Sequence, residues 1–466
     1  MQSRFPNGVS ASSRIIQWNR VEYLFGSVYL FNSMVKLPIQ YSSKPVTAFG
    51  GMRLMKDFVD KTEILSKLGE LDLPTGGSNR SYAAVKLIEA FMLNIWVGAS
   101  RFNHCNWLRG DEVLMDIFGF KRMPSQSTYS RFFGKFSQGR NTRVFPQLQK
   151  EFFKFIDTGA LTIDFDSTVI TRSGNQQGSA RGYNPNRRGR NSHHPLVAFI
   201  SQTRMVANAW LRPGNTAASS NCESFMDETF EILSDHSIGL VRGDSGFYSN
   251  KILSYLEEKS VNYMIAARAY PNLKGRVYGL KEWVRICEGI EVAEFVHQPL
   301  KGKARRHLVV RKLIARRPES AGKLLFGDLP EYCYSIYVTN MNLPVDQLWN
   351  IYNGRADCEN RIKELKNDFG LDCFCLQDFW ATEASFRFIM LAYNLMALFR
   401  HVALNDHRRA TLKTVRSYCF ALGSWIGTRT GKRVLKISLP RKKRPWMDAI
   451  FRNIEQAQTP FSFSNA

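Results

Sequence analysis

Between about Leu54 and Ile156 apolar residues recur at three- and four-residue steps, as in Ala83, Val85, Leu87, Ile88, Phe91, Met92 and Ile95, and again around Val113, Leu114, Ile117 and Phe118. That period predicts amphipathic helices. Ser125 to Ser127 are N-cap residues ahead of an aromatic and basic run through Phe133, which predicts a further helix start. At Leu161 the period changes. Leu161 to Asp166 alternates apolar and polar residues, Pro195–Ile200 and Met205–Leu211 follow, and Pro213-Gly214-Asn215 closes the set; these read as three strands and a turn. A helix from about Glu223 to Ser234, a buried strand Ile238–Asp244, a helix Lys251–Glu258 and a strand Tyr263–Ala267 come next. That order predicts an α/β protein with a mixed sheet and helices packed on it. Short alternating segments, Glu291–Val296 and His307–Leu313, predict a β insertion. A strand at Tyr334–Val338 and helices near 344–368 and 379–403 complete the pattern.

Hydrophobic residues make up 44% of the 466 positions, enough for a sizeable core. Lysine and arginine outnumber aspartate and glutamate 64 to 40, a formal charge of +24. Such an excess attracts polyanions, and nucleic acid is the usual one. The eight cysteines are scattered, without a CxxC pair, which points to reduced thiols rather than a disulfide frame or a zinc site. No apolar run reaches the ~18 residues of a membrane span. A cytoplasmic, nucleoid-associated protein with no membrane partner is expected.

Candidate chemistry sits where apolar strands meet polar loops, the place at which open α/β sheets hold ligands. The first strand ends in Asp166-Ser167-Thr168 and the later one in Asp244. Asp164 and Asp166 share one sheet face, because strand side chains repeat every two residues. Further along, Tyr352, Arg355, Glu359 and Lys366 fall within about 60° of arc on one helix. Ile351, Cys358, Ile362, Leu365 and Phe369 occupy the adjacent arc, which would face the sheet. Asp357, Asn360, Glu364 and Asp368 should face water. Three converging carboxylates, Asp166, Asp244 and Glu359, repel one another unless a cation resides among them. Hard oxygen ligands point to Mg²⁺ or Mn²⁺, and two such ions can activate a water or a 3′-hydroxyl on a phosphodiester. Arg355 and Lys366 would then grip phosphates. Between Thr171 and His194, Arg172, Arg181, Arg187, Arg188 and Arg190 occur with no acid among them, interleaved with Gly and Asn. This reads as a loop that orders on a nucleic-acid backbone.

These residues carry a resemblance. The run Tyr352-Asn-Gly-Arg355-Ala-Asp-Cys-Glu359, followed by six residues and Lys366, fits the Y-(2)-R-(3)-E-(6)-K signature of one branch of the DDE transposases of bacterial insertion sequences. Asp164-Phe-Asp-Ser-Thr168, Gly182-Tyr-Asn-Pro185, Ser192-His-His-Pro195 and Arg242-Gly-Asp-Ser-Gly246 resemble the insertion-sequence "thirteen-eighty" group, and the resemblance runs from about Ala48 to Asn453. It implies an RNase H-like catalytic core, two Mg²⁺ ions (or Mn²⁺), and cut-and-paste chemistry on terminal inverted repeats and target DNA by a homodimer in a synaptic complex. It favours Asp166 over Asp164 as first acid, with Asp164 one step deeper and Thr168 positioning water or substrate. Tyr352, Arg355, Lys366, Arg181, Arg187, Arg188 and Arg190 are the DNA-contact candidates. Trp283 is the candidate for an aromatic that stacks on an unstacked base, while His193 and His194 suit hydrogen bonding or packing better than metal. The implied organisation is an arm (1–45), a helical domain (46–156) that either binds DNA ends or packs on its neighbour, a catalytic core in two parts (157–269 and 336–405) around the β insertion (270–335), and a basic C-terminal region (406–466). A structure-specific nuclease or resolvase on the same fold, and a DNA-binding protein derived from a transposase, are the alternatives.

Overall fold

The computed structural model describes residues 39–77, 81–185, 187–300, 302–314, 332–405 and 410–463. Residues 1–38 of the expected arm and 315–331 of the expected insertion lie outside the described residues. The chain divides into two compact units, residues 1–44 and Pro45–Ala466, and everything below concerns the second.

Among the described residues the largest sheet has nine strands. In chain order these are β1 (Leu161–Ser167), β2 (Leu196–Ile200), β3 (Val206–Trp210), β4 (Ile238–Gly243), β5 (Tyr263–Ala266), β6 (Val284–Cys287), β7 (Ile290–His297), β8 (Arg305–Leu313) and β9 (Tyr332–Thr339). Across the sheet they lie in the order β6-β7-β8-β9-β5-β4-β1-β2-β3. β1, β4 and β5 run parallel, and the remaining neighbours are antiparallel. The strands expected from alternation are all present, within two residues at each end. β6 and a short helix at Pro271–Tyr278 were not expected. The β insertion is continuous with the main sheet: β9 pairs with β5, Val338 opposite Ile265, and the insertion strands β8, β7 and β6 follow on β9.

The helices that matter for the site are α1 (Met52–Thr62), α2 (Ala84–Val97), α3 (Gln126–Phe133), α4 (Gln138–Phe153), α5 (Cys222–Ile232), α6 (Asn250–Glu258), α7 (Val345–Asn353), α8 (Ala356–Asn367) and α9 (Phe379–Val402). Ser125 caps α3 as expected, its hydroxyl accepting the Thr128 amide at 3.4 Å. α9 is buried along nearly its whole length. It is sheathed by the N-terminal helices, with Phe388 against Phe133, Phe136 and Phe145 in edge or tilted contacts. The same continuous core includes Phe165 and Val197 of the sheet. The helices of 46–156 therefore share one hydrophobic core with the sheet. Among the described residues no helix is long and apolar enough to cross a membrane.

One helix was expected where two are found. α7 ends at Asn353 and α8 starts at Ala356. Arg242 stands at the break: its guanidinium Nη1 donates to the Ile351 carbonyl at 2.5 Å. That carbonyl would otherwise accept the Arg355 amide, which turns to Tyr352 O at 2.9 Å instead. Gly354 fits over this guanidinium because it has no Cβ: one would lie 2.9 Å from Arg242 Nη1.

Candidate active site

The sheet brings two acids together. Phe165 on β1 pairs in parallel with Gly243 on β4, so Asp166 and Asp244 follow at neighbouring strand ends, about 5 Å apart along the hydrogen-bonding direction. Asp166 is buried, and its Oδ1 accepts the Ser167 amide at 2.8 Å. Asp244 opens the turn after β4, with Oδ1 accepting the Gly246 amide at 2.8 Å. A Cβ on Gly246 would sit 2.9 Å from that oxygen, which is why the turn takes glycine. Burial, reinforced by the negative charge of Asp244, pushes the Asp166 carboxyl above its ordinary value, although Arg355 and the Ser167 amide pull the other way.

The α7–α8 segment walls this pair. Arg355 is buried; its Nη2 lies 3.2 Å from Asp166 Oδ2 and donates to the Phe165 carbonyl at 3.2 Å. Burial opposes the Arg355 charge, but Asp166 foremost, with smaller contributions from Tyr352, Cys358 and Asp244, outweighs it, so the guanidinium is held above its usual range. The Tyr352 hydroxyl donates to Gly243 O at 3.3 Å, and burial pushes its phenol up to about 12. Lys366 donates to Val169 O at 3.0 Å; burial lowers its ammonium, while Asp372 and Asp166 favour the charge. Burial and the nearby Asp166 carboxylate keep the Cys358 thiol protonated.

Glu359 is placed differently. It lies on the stripe between Arg355 and Lys366, but its side chain is 71% exposed, with Lys363 Nζ 3.9 Å away. Among the described residues no group of three or more His, Cys, Asp or Glu side chains is poised to hold a metal ion. The structure thus brings Asp166, Asp244, Tyr352, Arg355 and Lys366 together and leaves the Glu359 carboxylate in solvent.

Asp164 is fully buried in a two-pronged ion pair with Arg242, Nε to Oδ1 at 2.6 Å and Nη2 to Oδ2 at 2.9 Å. Arg361 approaches at 3.9 Å. With its oxygens so engaged, Asp164 holds the strands rather than facing ligand. Thr168 is buried, its amide bonded to Pro195 O at 3.2 Å. Trp283 is half-buried, with the Arg311 guanidinium 4.1 Å over its ring and its indole N–H on Leu280 O. That guanidinium already occupies one stacking face.

The arginine-rich stretch is not a plain loop. Ile170–Thr171, Ala180–Arg181 and Asn191–His193 form a small three-stranded sheet. Arg181 is exposed on it, and Arg187, Arg188 and Arg190 are exposed in the connection between its Ala180–Arg181 and Asn191–His193 strands. Arg172 is instead buried, donating to His193 Nδ1 at 3.0 Å and to Asp372 O at 2.8 Å. Burial, helped by Arg172, brings His193 down to about 4, so the ring is neutral and packs as expected. His194 bonds Thr216 O at 2.8 Å. Glu364 departs from its expected water-facing position. It is buried against α9, paired with Arg400 and accepting the Leu412 amide at 2.8 Å.

The Arg242 clamp was missed by sequence reasoning. Arg242 did carry a signal, as a lone charge inside an apolar strand, and a buried arginine needs a carboxylate partner.

No curated protein matches the chain. Among solved structures, the cryo-EM structure of the piggyBac transposase synaptic complex with hairpin DNA is similar at 11% identity, covering 81% of each chain with a TM-score of 0.43. The model of the family described as Transposase DDE domain group 1 matches residues 31–459, nearly the whole chain, and the protein belongs to that family of DDE transposases.

Proposed function

We propose that the protein is a cut-and-paste transposase of the YREK-signature branch, of the "thirteen-eighty" type. In this reading it cuts DNA at the terminal inverted repeats of an insertion sequence and joins the freed 3′-hydroxyl to target DNA, acting as a homodimer in the synaptic complex. The observation that carries it is the pairing of Asp166 and Asp244 at adjacent parallel strand ends, walled by Arg355 and Lys366 from the stripe that also bears Glu359. The strand order β3-β2-β1-β4-β5, with β1, β4 and β5 parallel, supports an RNase H-like core.

The donor set suits a hard divalent cation. Two like charges share a strand edge, one with raised proton affinity, and the nearby Cys358 thiol stays protonated, so only oxygens offer themselves. Asp166 and Asp244 would hold Mg²⁺ or Mn²⁺, and Glu359 is the third ligand in this reading. Such ions would activate the attacking water or 3′-hydroxyl and stabilise the leaving oxygen. Arg355 neutralises Asp166 and fixes its Oδ2, Tyr352 braces the β4 end through Gly243, and Lys366 holds a positive charge beside the site. Arg181, Arg187, Arg188 and Arg190 offer an exposed cationic face to the DNA backbone.

A pre-cut donor end incubated with target plasmid and Mg²⁺ tests the reading. Joined products are expected; hydrolysis without joining would favour a nuclease or resolvase. Glu359→Ala should remove both cleavage and joining while leaving the melting temperature within about 1 °C, because an exposed side chain contributes little to stability. Cleavage by this variant at the wild-type rate would exclude Glu359 from the site.

A further inference from the structure

The connection from β3 to α5 carries a buried charge without a counter-charge. Arg212 is 4% exposed, and among the described residues no carboxylate pairs with it. Burial brings its guanidinium down to about 10, so it stays charged at neutral pH. Its donors go to backbone carbonyls instead: Nε to His194 O at 3.0 Å, and Nη1 to Ala217 O at 3.0 Å, Ser220 O at 2.9 Å and Ala218 O at 3.4 Å. Nη2 has no hydrogen-bond partner. A lone buried guanidinium is a poor source of stability, because carbonyl dipoles offset only part of its desolvation. What the four bonds supply is geometry.

Two paths lead from Arg212 to the acids. The His194 carbonyl accepts Nε while the His194 amide donates to Arg212 O at 3.0 Å, so the two backbones are locked together. The next residue, Pro195, accepts the Thr168 amide at 3.2 Å, two positions past Asp166. On the other path the three loop carbonyls fix Ala218. Its methyl lies against Gly246, where an added Cβ would come within 2.9 Å of it. Gly246 stands two positions past Asp244 and donates its amide to that carboxylate at 2.8 Å. The His194 ring ties the loop again, bonded to Thr216 O at 2.8 Å. Arg268 Nε also grips the Asp244 turn, at Ser245 O and 3.0 Å, so losing the Arg212 path loosens Asp244 without freeing it.

We infer that Arg212 is a positioning residue for the Asp166–Asp244 pair: one guanidinium sets the spacing of both acids through the backbone beside each, rather than by contact with the acids themselves. The inference rests on the transposase reading for what that spacing serves.

Three variants of the full chain test it. Arg212→Met removes the charge and all four bonds. Arg416→Met is the control, since that guanidinium likewise donates to carbonyls, Trp96 O at 2.8 Å and Ile95 O at 3.5 Å, at the C-terminal end of α2. Ala218→Gly takes only the methyl from Gly246, leaves the Arg212 bonds in place, and serves if Arg212→Met does not fold. Hydrogen exchange read by mass spectrometry, without DNA, follows the loop and the two turns. In Arg212→Met, residues 167–169, 214–221 and 244–248 should exchange roughly tenfold faster, the factor that losing one to two hydrogen bonds gives. Arg416→Met should change exchange only around 95–99. Single-turnover cleavage at saturating DNA should fall between about tenfold and 100-fold in Arg212→Met, the scale of a misplacement of about 1 Å, while its DNA affinity stays that of the wild type. Arg416→Met should cleave as the wild type does. Ala218→Gly should show faster exchange at 244–248 and a smaller loss of rate. Unchanged exchange at 244–248 in Arg212→Met, or in Ala218→Gly where that variant alone folds, would overturn the inference. So would an equal loss of rate in Arg416→Met, which would make the effect one of general stability. A wild type that cleaves no DNA would instead remove the transposase reading, and the exchange profile would still decide whether Arg212 orders the Asp244 turn.

Discussion

Replacing Asp166 or Asp244 by alanine is expected to lower DNA cleavage by three orders of magnitude or more, roughly the scale on which removing one member of a cooperating catalytic set acts. DNA affinity should change little, because neither acid attracts phosphate. The two variants should differ in stability. Asp166 is the counter-charge of buried Arg355, at 3.2 Å, so its loss strands a guanidinium inside the protein. Asp244 opens a turn, and its loss removes one hydrogen bond to the Gly246 amide, worth about 1 kcal/mol. Asp166→Asn separates the two effects. The neutral side chain keeps the shape and a polar contact for Arg355 but not the counter-charge. It should lose less stability than Asp166→Ala and still fail to cleave. Gel assays of cleavage at saturating DNA, set beside urea denaturation, read both quantities. Retained cleavage in either alanine variant would remove that aspartate from the chemistry.

Much of this site was legible in the sequence because its parts lie where local periods change. β1 alternates apolar and polar residues and then yields to Asp166-Ser167-Thr168, and β4 does the same at Asp244. Placing both acids at one edge needed only the rule that ligands gather at strand ends. The helix stripe was legible too, since 3.6-residue geometry sets Arg355 and Lys366 on one side of Glu359. Which way each of those side chains turns was not. Arg355 points inward because Asp166 is there to meet it, and Glu359 remains in solvent, where the sequence had placed it among converging acids.

The illegible parts share one physical cause: they depend on partners far along the chain. Glu364 sits on the outer arc of a helical wheel, yet Arg400 and the Leu412 amide bury it. Arg172 looked like its exposed neighbours, but the carbonyl of Asp372 draws it in. The β insertion alternates as any strand would, and nothing in that alternation tells that β8 joins β9 and so prolongs the main sheet rather than closing a separate one. Register between distant strands is set by tertiary packing, not by local pattern.

Arg242 is where such a distant interaction reaches the chemistry, and its removal carries the second large expected effect. Its guanidinium ties β1 through Asp164, the β2 end through the Ser201 hydroxyl at 2.8 Å, and α7 through the Ile351 carbonyl. Both members of the ion pair are almost wholly buried, 5% and 0% exposed. Arg242→Ala leaves the Asp164 carboxylate without its main partner, which costs about 3–5 kcal/mol in a buried pair. Arg361, 3.9 Å from Asp164, neutralises part of that charge and sets the expectation at the lower end. Arg242→Lys keeps a charge but cannot reach three acceptors at once, and should fall between. The informative variant removes both charges, Asp164→Leu with Arg242→Met, since apolar replacement of a whole buried pair is often neutral for stability. Its urea midpoint should return close to that of the wild type. Cleavage should not return. Without the guanidinium on Ile351 O, the Arg355 amide is free to take that carbonyl, and α7 and α8 can fuse into one straight helix that draws Arg355 from Asp166. Recovery of stability without cleavage would identify Arg242 as the residue that sets the bend, whereas recovery of both would reduce it to a stabilising pair.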